Sequence, residues 1–189
     1  MRFGHVIFLN GTSSSGKTTI ARALQEKLTA PYMVVSIDGF IGMYPDKFLD
    51  IKNQEDVQVL AQLLPAVVSG LLGSVGALAK SGNNVIIDHV LQEPGWLQEC
   101  VEMWAGLDVL FVGIKCPLEV VEKRERERGD RKPGTARYQM ERVHAHGLYD
   151  IELDTSLLKL DECVTRIMEL SINRPEMSAF QGLAIRFGT

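Results

Sequence analysis

Five short apolar runs, at residues 5–10, 33–37, 84–88, 108–114 and 149–153, recur along the chain with longer amphipathic stretches between them. Val, Ile, Leu and Phe follow one another in these runs with little polar alternation, the pattern of strands that helices cover on both faces. Between the runs the period changes. Ile20, Ala21, Leu24 and Leu28 form one face of a helix after the first run, while Arg22, Gln25 and Glu26 point elsewhere. Similar spacing predicts helices near residues 94–105, 117–127, 135–146 and 159–171. Strands that alternate with helices require crossover connections, so the predicted class is α/β with a parallel sheet between two helical layers.

The longest apolar stretch needs separate treatment. No charged residue occurs from Val57 to Ala79, a length that could span a bilayer. Gln58, Gln62 and Pro65 interrupt its first half, and Ser69, Gly70, Gly73, Ser74 and Gly76 dilute its second. Leu60, Leu64, Val67, Leu71, Val75 and Leu78 keep helical spacing, so the expectation is a sheet-covering helix, with Pro65 as its candidate break, and no membrane partner. Residues 173–189 contain Pro175 and two glycines beside Phe180, Leu183, Ile185 and Phe187. That tail is expected to be either a loosely packed arm or a contact in a homo-oligomer, outside a domain of residues 1–172.

Composition narrows the function classes. A chain of 189 residues with 46% hydrophobic content has room for one α/β domain. Its net charge of −4 argues against sequence-independent nucleic-acid binding, which needs a broad basic face, and favours a small-molecule partner. Cys100, Cys116 and Cys163 lie far apart and form no C-x-x-C pair, as expected of reduced thiols in a cytoplasmic protein. The segment Met1-Arg2-Phe3-Gly4 runs directly into the first apolar run, where no signal peptide is expected.

The chemistry concentrates just after the first run. Gly11-Thr12-Ser13-Ser14-Ser15-Gly16-Lys17-Thr18, followed by Thr19, fills every fixed position of the phosphate-loop pattern G-x-x-x-x-G-K-[ST]. A Gly/Ser-rich turn would satisfy the bare pattern anywhere; here a buried-type strand precedes it and an amphipathic helix follows. Backbone amides of such a loop face phosphate oxygens, the lysine reaches the terminal phosphates, and the hydroxyl of Thr18 is suited to magnesium. The chain is therefore expected to bind ATP or GTP with Mg²⁺.

Two further groups converge on that loop. Ligands of parallel sheets bind beyond the carboxyl ends of the strands, which makes Asp38 and Asp88 candidates to hold magnesium and to orient an acceptor hydroxyl and take its proton. His89 either lines the pocket or bonds a backbone carbonyl. Residues 123–137 carry seven basic residues against three acidic ones in an otherwise acidic chain. A solvated helix face laced with ion pairs accounts for Arg124 or Arg126 taken singly. An Arg-rich lid, with Arg128 and Arg131 brought to the transferring phosphate, accounts for the whole segment. His144 and His146, two apart on a predicted helix, diverge by about 200° and suggest no metal site.

Taken in order, these segments resemble the chloramphenicol phosphotransferase family of P-loop kinases. The residues that carry the resemblance are Ile7-Phe8-Leu9-Asn10-Gly11 through Gly16-Lys17, Val35-Ser36-Ile37-Asp38, Val85-Ile86-Ile87-Asp88 and Asp108 to Gly113 with Cys116. Arg128-Gly129-Asp130-Arg131, His144 and Tyr149-Asp150 with Asp154-Thr155 complete the set. The resemblance implies a five-stranded parallel sheet in the order 2-3-1-4-5 and transfer of the γ-phosphoryl group of ATP, with Mg²⁺, to a hydroxyl of a small molecule such as chloramphenicol. It also implies that Asp38 is the base and that Arg128 and Arg131 belong to a lid. Two alternatives share the loop: a metabolic kinase of the shikimate, gluconate or nucleoside type, and a nucleotide-binding regulatory protein that transfers nothing.

Overall fold

The computed structural model describes residues 2–45, 54–129 and 134–189. Strands β1 (His5–Gly11), β2 (Tyr32–Ser36), β3 (Asn84–His89), β4 (Asp108–Lys115) and β5 (Ile151–Asp154) form one sheet in the order β2-β3-β1-β4-β5, every pairing parallel. This is the expected order. It puts the end of β1, and the loop that leaves it, at the centre of the carboxyl edge with β3 and β4 on either side.

Each central strand is buried on both faces, and residue parity assigns its side chains to two cores. Val6, Phe8, Val85, Ile87, Val109 and Phe111 face helices α3 (Gln54–Lys80), α4 (Pro94–Met103) and α8 (Ala179–Phe187). Ile7, Leu9, Ile86, Leu110, Val112 and Leu153 face α1 (Lys17–Lys27) and α7 (Leu160–Ile172). Full burial of such a side chain contributes about 1.5–3 kcal/mol, which is why these strands show no polar alternation. The short α2 (Ile37–Ile41) follows β2, and α5 (Leu118–Arg128) and α6 (Thr135–Val143) share a smaller core of Cys116, Val121 and Ala136 beyond the sheet end.

Helix α3 runs through Pro65 as one 27-residue helix, so the candidate break does not occur. Ala61–Lys80 is long and apolar enough to cross a membrane by length and composition. In the fold its Val67, Val68, Leu71, Leu72, Val75 and Ala79 are buried against the sheet and neighbouring helices. Gly76 has a local reason: a Cβ there would stand 3.1 Å from the indole of Trp104, whose Nε1 donates to the Leu72 carbonyl at 2.9 Å.

Several expected boundaries shift. Strand β2 stops at Ser36, because the Ser36 hydroxyl accepts from the Gly39 amide at 3.1 Å and caps α2, so Ile37 opens a helix. Tyr149 and Asp150 precede β5; the Asp150 carboxylate accepts from the amides of Phe111 and Ala179, both at 2.7 Å. The second of these bonds anchors α8, whose Ala179, Phe180 and Leu183 are buried. Residues 179–187 are thus a packed helix rather than a loose arm.

Candidate functional site

The loop between β1 and α1 is shaped by two left-handed residues, Ser14 at φ 61° and Gly16 at φ 99°. Such turns point successive amides into one concavity, and a residue with a Cβ at Gly16 would be strained at that angle. Gly16 is also the N-cap of α1 and supplies no side-chain acceptor, so the helix presents its first amides to the cleft. Ser14 Oγ and Ser15 Oγ are buried with no hydrogen-bond partner among the described residues. Buried polar atoms of that kind call for a ligand.

Lysine and carboxylate meet at the loop. Lys17 Nζ donates to the Thr12 carbonyl at 2.8 Å and lies 3.9 Å from Asp88 Oδ1. Thr18 Oγ1 donates to Asp88 Oδ2 at 2.5 Å. Two hard oxygen donors beside the phosphate cradle fit a hydrated Mg²⁺ that also takes phosphate oxygens. Beneath the loop, Thr155 Oγ1 donates to the Ser15 carbonyl at 2.8 Å, and Arg124 grips Thr155 through its hydroxyl at 3.1 Å and its carbonyl at 3.0 Å.

A cleft of about 660 Å³ opens over these groups. Ser13, Ser14, Gly16, Lys17, Thr18 and Thr19 line one side with Arg124, Arg128 and Thr155. Ser36, Ile37, Asp38, Ile41, Leu64 and Val68 line the other, with His89, Val90 and Trp96. Asp38 and Asp88 therefore share one cavity, although Asp38 sits in the first turn of α2 and Asp88 lies inside β3. Gly11 ends β1, and Thr12 and Ser15 are buried under the cradle. Arg128, the last residue of α5, reaches the cleft; Arg131 lies outside the described residues.

His89 is 1% exposed, and neither ring nitrogen has a hydrogen-bond partner among the described residues. The backbone-carbonyl alternative is therefore not realised. Burial first, and then the Lys17 charge, lowers its pKa to about 3, with Asp38 opposing. A neutral imidazole thus faces the cleft, its ring 5.5 Å from that of Trp96. His144 and His146 depart from expectation. Helix α6 ends at Val143, so His144 and His146 do not diverge; His144 Nδ1 pairs with the Tyr149 hydroxyl at 2.7 Å, and the His146 ring lies 4.5 Å from that of Tyr149.

Part of the basic segment is the ion-paired face: Arg137 bonds Glu122 at 2.7 Å, and Lys123 lies 3.9 Å from Glu127. Three other residues stand out only in the fold. Arg124 braces the phosphate loop through Thr155. The buried Glu125 carboxylate accepts from the amides of Gly134 at 2.9 Å and Ala136 at 3.0 Å, capping α6 from α5. Gln139 reaches from α6 to the Ser13 amide at 2.7 Å. In the sequence Arg124 and Glu125 are two members of an alternating charged run, and nothing in that run marks them off from Arg126 and Glu127.

Comparison with known proteins fits this geometry. A protein from two strains of Mycobacterium tuberculosis, provisionally named an O-phosphotransferase, is 32% identical over 201 residues, covering 97% of this chain and 89% of that protein. The M. tuberculosis APS kinase CysC in complex with AMPPNP and APS superposes with a TM-score of 0.68 at 17% identity, over 91% of this chain and 99% of that one. A gluconokinase from Sinorhizobium meliloti 1021 superposes with a TM-score of 0.62 at 19% identity, over 92% and 97%. These two show a shared P-loop kinase fold. The profile of chloramphenicol phosphotransferase-like proteins matches residues 4–171, and with the cradle, the strand-end carboxylate and the sheet order in place, the chain belongs to that family, one of kinase-type phosphotransfer.

Proposed function

We propose that the protein transfers the γ-phosphoryl group of ATP to a hydroxyl of a small, largely apolar molecule, in a cytoplasmic setting that its three buried free thiols suit. The observation that carries this reading is the single cleft that joins the phosphate cradle to Asp38. In it the cationic lining, among the described residues, is Lys17, Arg124 and Arg128, on the cradle side. The wall around Asp38 is apolar, from Ile37, Ile41, Leu64, Val68, Val90 and Trp96, with the neutral His89 as a polar contact. An acceptor with an aromatic or aliphatic body suits that wall better than a polyanionic metabolite.

Asp38 orients the acceptor hydroxyl and takes its proton as the oxygen attacks the γ-phosphorus in line; the bond to the β-phosphate oxygen breaks and ADP leaves. Lys17 and the loop amides hold the phosphates, and Arg128 adds positive charge at the mouth. Arg131 is assigned to the same lid. Thr18 and Asp88 would hold Mg²⁺, which supplies charge neutralisation at the phosphate oxygens. The test is mass spectrometry of candidate alcohols incubated with the protein, ATP and Mg²⁺. A product heavier by one phosphoryl group on a neutral aromatic or aliphatic alcohol supports the reading; phosphorylation confined to anionic metabolites would redirect it. ATP binding with no product across a broad panel would overturn transfer altogether.

A further inference from the structure

Three carboxamides join the two halves of the cleft. Asn10, at the end of β1 and fully buried, donates through Nδ2 to the Val143 carbonyl at 2.9 Å and accepts through Oδ1 from the Leu91 amide at 2.9 Å. It thereby fixes the last residue of α6 and the segment after β3 to the strand that carries the phosphate loop. One helical turn before Val143, Gln139 closes the ring: Oε1 accepts from the Ser13 amide at 2.7 Å and Nε2 donates to Gln92 Oε1 at 3.0 Å. At 7% exposure Gln139 is buried, and it lines the cleft between its cradle side and its Asp38 side. Gln92 lies between His89 and Trp96, two residues of the acceptor wall.

We propose, on the basis of the nucleotide reading above, that Gln139 is a positioning residue that couples the phosphate loop to the acceptor wall. A carboxamide offers one acceptor and two donors on a planar group, so Oε1 and Nε2 cannot both keep good geometry if Ser13 and Gln92 move independently. A shift of Ser13 on nucleotide binding is thus transmitted to Gln92, and from there to the start of α4 and Trp96. Nucleotide and acceptor affinities are linked through this bridge, and by linkage the effect is reciprocal. Gln139→Glu would keep the Ser13 contact but lose the donor to Gln92.

The chain contains two tryptophans, Trp96 in the cleft and Trp104 sealed in the core, so the emission of Trp96 reports on the acceptor wall without any known acceptor. The probe is Mg²⁺–AMPPNP, with binding followed by calorimetry and tryptophan emission in parallel, and Trp96→Phe assigning the signal. In the parent protein binding should change the Trp96 emission. Gln139→Met and Gln92→Met, which preserve volume, should bind the analogue within about tenfold of the parent but lose more than about three quarters of the Trp96 response. A bond with only a structural role would lower the thermal midpoint and leave the response per bound analogue intact. Full response in a folded Gln139→Met, or in Gln92→Met if the first variant does not fold, overturns the proposal. Binding heat in the parent without any Trp96 change also overturns it, whereas no heat at all overturns the nucleotide reading on which it rests.

Discussion

The two sides of the cleft are built in opposite ways. The cradle side comes mostly from nine consecutive residues, Gly11 to Thr19, whose function lies in backbone amides and two left-handed turns. The Asp38 side is gathered from α2, α3, the end of β3 and the segment that follows, positions separated by up to 60 residues. Continuity has a physical basis: a phosphate is recognised by a local run of N–H groups, which one short segment can supply. A hydroxyl-bearing molecule of unspecified shape is recognised by a wall, and walls require tertiary packing. On the proposed function, donor chemistry is written into one motif, whereas acceptor choice is distributed.

Variants on the two sides should separate along this line. Asp38→Asn should lower turnover by roughly 10²- to 10⁴-fold with ATP affinity little changed, because it removes the proton acceptor and leaves the cradle alone. Steady-state kinetics beside calorimetry checks this, and unchanged turnover would remove Asp38 from the base role. Lys17→Ala should cost about 10²- to 10³-fold in kcat/KM for the nucleotide, whatever acceptor is used. If that loss varied strongly with the acceptor, the division between the two sides would fail.

Smaller effects test the joint between the sides. Glu125→Ala removes the acceptor of two α6 amides and should destabilise the fold by about 1–3 kcal/mol, read from urea midpoints, with Glu125→Gln milder because one oxygen remains. An effect of similar size is expected from acid. His89, held down to about 3, and His146, to about 4, are neutral in the fold, whereas free imidazoles gain protons below about 6.5. Their contribution to stability is therefore complete above that pH and is lost as pH falls through the folded values. His89→Phe should make the loss shallower by one proton, about 1.4 kcal/mol per pH unit between pH 6 and 4. An unchanged slope would mean that the ring is charged in the fold.

Much of the architecture could be read in advance because it depends on period and order alone. Apolar runs that lack alternation required helices on both faces, and the strand order was implied by the resemblance to the phosphotransferase family. Misplaced ends trace to single hydrogen bonds. Ser36 capping Gly39 turned Ile37 and Asp38 into helix, and Asp150 bonding Phe111 and Ala179 kept two residues out of β5 and drew α8 into the core. Pro65 was a candidate break because of its ring, yet the helix continues, with Val68, Leu71 and Leu72 packed in the core just beyond it. Among site residues, Ser13, Ser14, Gly16, Lys17, Thr18 and Thr19 line one cleft with Asp38, Asp88, His89 and Arg128. Arg124, Glu125 and Gln139 gave no sign, because their partners lie 9 to 126 positions away.

By itself the sequence determined the class of fold, the strand that precedes the phosphate loop and the loop's pattern of glycines, lysine and threonine, since each follows from contacts between near neighbours. Only the tertiary structure decided which arginine braces the loop, which carboxylate caps α6, that His89 is buried without a hydrogen-bond partner among the described residues, and that Gln139 bonds both Ser13 and Gln92. Those are properties of distance and burial between remote segments, and no local pattern encodes them.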